Sequence, residues 1–446
     1  APMFNPAIYR SYDIRGIVPD DFDPAEAYHI GRAYAQETKA QRVVVARDMR
    51  PTGEGFVTEL LRGLTDSGVD VVDIGLATTP LFYFAVHTLK TDGGIMVTAS
   101  HNPGKYNGMK MTRAQAVPIG GDTGLFAIRD LVEQRNWPAV TKTGTISEAS
   151  VTSQYLDLVT KGVDLKGRKI VVDTGNGMVG MLMPEVSKRI GGTIVPLYWE
   201  LDGTFPNHEA DPLNDENMRD LQEAVIAHEA DLGVAFDGDG DRVFFCTEQG
   251  VTVPGDISTA LIAREVLKEQ PGKPIVYDIR ASRVTGEVVA AAGGQPVMFK
   301  VGHSNIKPKM REVGAPFAGE VSGHFFFAPW YVESGLLAMS YILRLVHETK
   351  QPLSEIIKPL QKYTKTPEIN YTVTDKTATI AAIKAKYADA QFNEIDGIRL
   401  DYPTWWASIR GSNTEPLLRL NMEADTPELL SEKHQEIEAL IKSAAT

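Results

Sequence analysis

Asp237, Gly238, Asp239, Gly240, Asp241 and Arg242 form the densest run of chemistry-bearing residues in this chain. Three carboxylates at alternate positions repel one another unless a cation sits among them, and the two glycines let the backbone bend sharply enough to aim all three at one point. Hard oxygen ligands suit Mg²⁺ or Ca²⁺ rather than zinc, and Mg²⁺ completes its octahedral shell most readily with a phosphate oxygen. Two plainer readings stand beside this one. An EF-hand loop needs glycine at its sixth position, where Arg242 stands, and flanking helices, where 232–236 and 243–245 read as strands, although Glu248 does fall at the twelfth position. The other is a solvated acidic turn.

A metal of this kind directs attention to a phosphate carrier, and Ser100, in Thr98-Ala99-Ser100-His101-Asn102-Pro103, is the candidate. Residues 94–97 are a short apolar run, so Ser100 falls just past a strand end on a loop, where it can act as nucleophile or phosphoryl carrier. His101 beside it is a second catalytic candidate, or else a turn residue in ordinary Asn/Pro/Gly turn chemistry. Arg410, Ser412, Asn413 and Thr414 offer a planar bidentate fork, two hydroxyls and an amide on a glycine loop, the donor set of a phosphate cradle or of a polar hairpin. Glu320 and Ser322, with His324 nearby, offer hydrogen-bond acceptors and donors for a polar ligand.

The elements that carry these loops alternate apolar β-branched runs with amphipathic stretches, the pattern of α/β architecture. Residues 43–46, 170–172 and 275–277 each read as a strand feeding a turn and then a helix. A second set runs beside it: 94–97 leads to the serine loop, 232–236 to the acidic loop and 316–318 to the Glu320 loop. This weak repetition predicts three related α/β domains with mixed sheets, each delivering one loop from a strand end. The remainder differs, with strands expected at 371–374, 397–401, 407–409 and 417–421 and a helix at 427–443, a smaller C-terminal α+β domain. The expected boundaries are 1–149, 150–250, 251–366 and 367–446, with 364–367 and the polar stretch 141–150 as linkers.

At 446 residues the chain exceeds the span of one hydrophobic core. Its 43% hydrophobic and 23% charged content is that of a soluble globular protein, and a net charge of −13 argues against nucleic acid. Cys246 is the sole cysteine, so no intrachain disulfide forms, and a cytoplasmic location is expected. No run is long and apolar enough for a membrane span, and no signal pattern opens the chain.

The serine loop, the Asp237–Arg242 run, Gly319-Glu320-Val321-Ser322-Gly323-His324 and Arg410-Gly411-Ser412-Asn413-Thr414-Glu415-Pro416 occur in order across nearly the whole chain. Together they resemble the α-D-phosphohexomutase family, in particular its bacterial phosphomannomutase/phosphoglucomutase branch. The resemblance implies four domains around a central cleft, a phosphate resting on Ser100, and Mg²⁺ held by Ser100, Asp237, Asp239 and Asp241. It implies exchange between hexose 1-phosphate and 6-phosphate through a 1,6-bisphosphate, with glucose 1,6-bisphosphate as activator. Lys110 and His303 match the acid and base, and Arg242 complements the phosphate. Tyr12 and Arg15 match a segment that reaches the sugar. Arg280 stands where many members carry lysine, which replaces a point donor with a flat fork. Phosphorylated hexoses are the expected partners of a monomer or weak dimer, without nucleic acid or membrane. A phosphoglucosamine mutase, a non-catalytic phosphosugar-binding protein and a phosphatase are the alternatives. Val321 and Asn413 speak against the first, since phosphoglucosamine mutases usually carry glutamine and glycine there.

Overall fold

The computed structural model describes residues 4–412 and 415–444, and the chain divides into two compact units. The first comprises the chain up to Pro254 together with Ser322–Ser354; the second comprises Gly255–Val321 and Glu355 onward.

Two mixed sheets build the first unit. In one, the strands run in the order Ile14–Ile17, Tyr106–Arg113, Gly93–Val97, Arg42–Arg47, Asp70–Leu76, Ile146–Glu148. The middle strands are parallel, and Tyr106–Arg113 runs antiparallel to both of its neighbours. Residues 43–46 and 94–97 are apolar without alternation because both faces are covered. Val43, Val45, Ile95 and Val97 pack with the helices Pro24–Thr38 and Gly53–Asp66. On the opposite face Gly94 lies against Phe82 of the helix Thr79–Thr88, so tightly that a Cβ there would stand 2.6 Å from the ring.

The second sheet has the order Thr252–Val253, Val243–Thr247, Leu232–Phe236, Lys169–Asp173, Thr193–Leu197. Leu232–Phe236 and Val243–Thr247 are antiparallel neighbours, so the acidic run is the turn between two fully buried strands. That arrangement removes the EF-hand reading. Cys246 packs with Val171, Leu221 and Phe244, where burial pushes its thiol up to about 12. The segment Ser322–Ser354 adds the hairpin Phe325–Phe327 with Val332–Glu333 and the buried helix Gly335–Thr349.

In the second unit, Pro274–Asp278 pairs in parallel with Gln295–Phe299 and Phe317–Gly319, accompanied by helices Gly255–Glu269, Arg283–Ala291 and His303–Val313. The C-terminal part is an antiparallel sheet around Leu417–Ala424, with Trp405–Gly411 on one side and helices Lys376–Lys386 and Pro427–Ala444. Two expectations about linkers need correction. Thr364–Lys365 is a strand paired with Leu417–Ala424, and Ile146–Glu148 inside 141–150 pairs with Asp70–Leu76. Both are short and polar, so their composition hid backbone hydrogen bonding to a sheet edge. The strand expected at 371–374 is Ile369–Thr372, two residues earlier.

The repetition recurs as one local device. Asp173 and Asp278 end a strand and Asp48 directly follows one, and each accepts a hydrogen bond from the backbone N–H two residues on, at Gly175 (2.8 Å), Arg280 (2.7 Å) and Arg50 (3.2 Å) respectively. Each is an Asx turn that redirects the chain toward a helix.

Candidate active site

Ser100 lies three residues past the strand Gly93–Val97 with φ +52°, a left-handed conformation that is costly for a residue with a side chain. Its surroundings enforce that geometry. The N–H of Ser100 donates to Thr98 Oγ1 at 2.9 Å, and Thr98 in turn donates to Asp48 at 2.6 Å. Asp48 also pairs with Arg50, whose guanidinium donates to the carbonyls of Ser100 (3.1 Å), Asn102 (2.7 Å), Pro103 (2.8 Å) and Tyr106 (3.1 Å). One buried arginine thus satisfies four carbonyls of the serine loop.

Ser100 Oγ is 3.1 Å from Asp237 Oδ2 and 3.0 Å from Asp239 Oδ1. Asp237, Asp239 and Asp241 are all buried, and each offers an oxygen within 4.8 Å of the others. Burial and the two neighbouring aspartates push Asp237 well above the usual carboxylate range, which is the electrostatic signature of a triad short of positive charge. Lys110 Nζ meets part of that need at 2.8 Å from Asp239 Oδ2 and 2.7 Å from Asp241 Oδ2. Burial alone would lower Lys110, but those two carboxylates outweigh it and hold the amine well above its ordinary value. Asp241 goes the other way: burial would raise it, and Lys110 and His324 pull it well below. Thr79 donates to Asp239 at 2.6 Å.

Arg242 is buried and donates from Nε to Asp237 Oδ2 at 3.2 Å, the oxygen that also faces Ser100. Burial followed by the Arg242 and Arg15 charges holds His101 well below the usual imidazole value. Arg15 donates to Asn102 Oδ1 at 2.8 Å and pairs with Asp13, whereas Tyr12 is 40% exposed. His324 Nε2 stands 3.8 Å from Asp241, with Ser322 Oγ on its other nitrogen at 2.7 Å. The boundary between the two units falls within this motif, with Ser322 and His324 in the first unit and Glu320 in the second.

In the second unit Glu320 Oε1 accepts from the N–H of Gly302 at 2.6 Å, next to His303 at the start of a helix. Arg280 pairs with Asp278 at 3.1 Å and faces Glu368 at 3.8 Å. Arg410 is held by Glu368 at 3.0 Å and Asp396 at 3.6 Å. Ser412 Oγ accepts from the N–H of Glu415 at 3.2 Å. Asn413 and Thr414 lie outside the described residues.

Models of four successive domains of one family match this chain: phosphoglucomutase/phosphomannomutase α/β/α domains I (7–138), II (153–250) and III (254–363) and the C-terminal domain (368–440). The chain belongs to the phosphoglucomutase/phosphomannomutase family. It is similar to a phosphomannomutase/phosphoglucomutase of Pseudomonas aeruginosa, 39% identical over 96% of this chain and 94% of that one. It is also similar to a phosphomannomutase of Escherichia coli, 41% identical over 97% of this chain and 99% of that one. Among solved structures it resembles a phosphoglucomutase/phosphomannomutase family protein from Burkholderia thailandensis, TM-score 0.92 at 36% identity, covering 99% and 98% of the two chains.

The triad of this phosphohexomutase can hold a metal. Its oxygens are hard donors, they converge, and Asp241 Oδ1 is buried without a hydrogen-bond partner, an orphan that a cation would satisfy. Sequence reasoning missed Arg50, Thr79, Glu368 and Asp396. Arg50 carried a signal in retrospect, the Asp-x-Arg spacing it shares with Asp278 and Arg280. Thr79 meets Asp239 across 160 positions and Glu368 lies one residue past the stretch 364–367 expected as a linker, so neither carried one.

Proposed function

We infer that this phosphohexomutase interconverts hexose 1-phosphate and hexose 6-phosphate, glucose and mannose phosphates both included, with Ser100 as the phosphoryl carrier. The observation that carries the reading is Ser100 Oγ within hydrogen-bond reach of two carboxylates of a buried, convergent triad. A neutral serine gains little from two buried carboxylates; a phosphorylated one that shares a cation with them gains a great deal.

In the forward half-reaction the bond from Ser100 Oγ to phosphorus breaks as a hydroxyl oxygen of the sugar monophosphate bonds to it, giving the 1,6-bisphosphate. The hydroxyl proton passes to a base and the serine oxygen regains one later from an acid. We assign these duties to Lys110, paired here with Asp239 and Asp241, and His303, with His101 supporting the serine loop. The return step takes the other phosphate back to Ser100, so free glucose 1,6-bisphosphate acts as activator by rephosphorylating enzyme that has lost its phosphate. Arg242 balances the phosphoryl charge. When bound through Asp237, Asp239, Asp241 and the group on Ser100, Mg²⁺ supplies the positive charge that offsets negative charge developing on the transferring group. Tyr12, Arg15, Arg280, Glu320, Ser322 and His324 bind the sugar phosphate, and Arg410, Ser412, Asn413 and Thr414 hold the phosphate that is not reacting.

The division of labour follows the boundaries 1–149, 150–250, 251–366 and 367–446. Among the described residues no helix is long and apolar enough to cross a membrane. With that, the net charge of −13 and a single cysteine support a cytoplasmic enzyme that meets neither membrane nor nucleic acid, and we propose that it acts as a monomer or weak dimer. A coupled assay on glucose 1-phosphate, with and without glucose 1,6-bisphosphate, tests the reading alongside Ser100→Ala. Turnover is expected only in the wild type, and intact mass should show one added phosphate that the variant lacks. A folded Ser100→Ala that still turns over would refute it, and phosphate release without isomerisation would indicate a phosphatase.

A further inference from the structure

The three Asx turns differ in one respect. Asp48 and Asp278 grip an arginine two positions on, but Asp173 has Gly175 at that position, which offers no side chain. The missing cation arrives from elsewhere in the chain. His208 Nε2 lies 2.8 Å from Asp173 Oδ2, and a Cβ built on Gly175 would stand 3.3 Å from the imidazole Cε1. The other ring nitrogen is 2.7 Å from the carbonyl of Glu209. Both nitrogens face groups that can only accept, so the ring is an imidazolium with two N–H donors.

His208 anchors a segment that runs along the acidic loop. Asn207 donates to Asn176 Oδ1 at 2.9 Å, the carbonyl of Ala210 accepts from the N–H of Gly238 at 3.2 Å, and Asp211 Oδ1 accepts from Arg242 Nη2 at 3.1 Å. Arg242 is therefore clamped from two sides, by Asp237 on Nε and by Asp211 on Nη2. Without Asp211, Arg242 Nη2 loses the carboxylate that holds it away from the remaining aspartates of the triad.

We propose that residues 207–211 form a positioning strap in which His208, gripped by Asp173, holds Asp211 where it orients Arg242 toward the phosphoryl group on Ser100. Asp211 and His208 are positioning residues, acting through Arg242. The inference rests on Ser100 being the phosphoryl carrier.

Asp211→Asn isolates the claim, because the amide oxygen still accepts from the N–H of Leu213 as Asp211 does at 3.2 Å, while the charge is lost. The expected result is a fall in kcat of about 5- to 10-fold, the step from a charged to a neutral acceptor, since the same Oδ1 can still accept from Arg242 Nη2, with KM for glucose 1-phosphate within about twofold of wild type. Arg242→Lys keeps a charge but has no second nitrogen for Asp211. Adding Asp211→Asn to it should cost less than about twofold further, since residues that act as a unit are not additive. His208→Gln should shift kcat the same way by a smaller factor. Wild-type kcat in Asp211→Asn, or full additivity with Arg242→Lys, would overturn the proposal. A fall in KM and kcat that tracks melting temperature would assign the strap to stability alone. Failure of the underlying reading looks different: Arg242→Lys itself would leave kcat unchanged and Ser100 would carry no phosphate.

Discussion

At the scale of single residues, the site is a set of charges that burial makes interdependent. Lys110 and Arg242 offset part of the triad, and neither can be read without it. His208 shows the same logic away from the reacting atoms and gives a pH test with a definite sign. Burial would lower its pKa, but the Asp173 carboxylate outweighs that, with Glu209 and more distant Asp220 adding to it, and raises it from 6.5 to about 9. A group raised in the folded state stabilises fully below its unfolded value, and that stability is lost as pH climbs through the folded one. Thermal unfolding between pH 6 and 10 should therefore show a loss of at most roughly 3 kcal/mol in the wild type that His208→Gln lacks. Parallel pH profiles for the two proteins would mean that His208 is not charged in the folded chain.

At the scale of elements, what matters is how closely two loops approach. A Cβ on Gly238 would stand 2.3 Å from the carbonyl oxygen of Ser100, and the contact is backbone on both sides, so no side chain can turn away to relieve it. Gly238→Ala should push the acidic loop off the serine loop and lower kcat by about 100-fold, the cost of roughly an ångström of misplacement. Gly53→Ala is the control: its Cβ would meet ordinary contacts at 3.5 Å, and wild-type kinetics are expected. Wild-type turnover in Gly238→Ala would show that the loops tolerate separation. Much of this scale was readable in the sequence. Strands buried on both faces announce themselves as unbroken apolar runs, and Leu232–Phe236 has the bounds its residues suggested. The serine and acidic loops were readable for a related reason, since each packs its chemistry into a few consecutive positions. What stayed hidden lies on edges or depends on tertiary contact. Thr364–Lys365 and Ile146–Glu148 are polar strands stabilised by a neighbour. Thr79, Asp211 and Glu368 gain meaning only from partners that folding brings to them, and no local pattern encodes that.

At the scale of the whole molecule, the chain passes between its two units at Pro254/Gly255, Val321/Ser322 and Ser354/Glu355. Ser100, the triad and Lys110 belong to one unit, whereas Arg280, Glu320 and Arg410 belong to the other. Ser100, the triad and Lys110 are thereby separated from Arg280, Glu320 and Arg410, and if the proposed roles hold, substitutions in these two sets should differ in what they change. Arg410 in this state is occupied by Glu368 and Asp396, carboxylates that stand where a phosphate dianion would compete for the same guanidinium. Arg410→Ala should raise KM for both glucose 1-phosphate and glucose 6-phosphate by about 10- to 100-fold, the loss of one charged hydrogen bond of roughly 1.5–3 kcal/mol. It should leave the phosphate on Ser100 intact by mass, because the serine and its triad are built without Arg410. Free bisphosphate should escape more often per turnover if Arg410 serves as the proposed cradle for the phosphate that is not reacting. A rise in KM for one isomer alone would mean that each isomer's phosphate has its own cradle, and loss of phosphate from Ser100 would mean that the two groups of residues do not act separately.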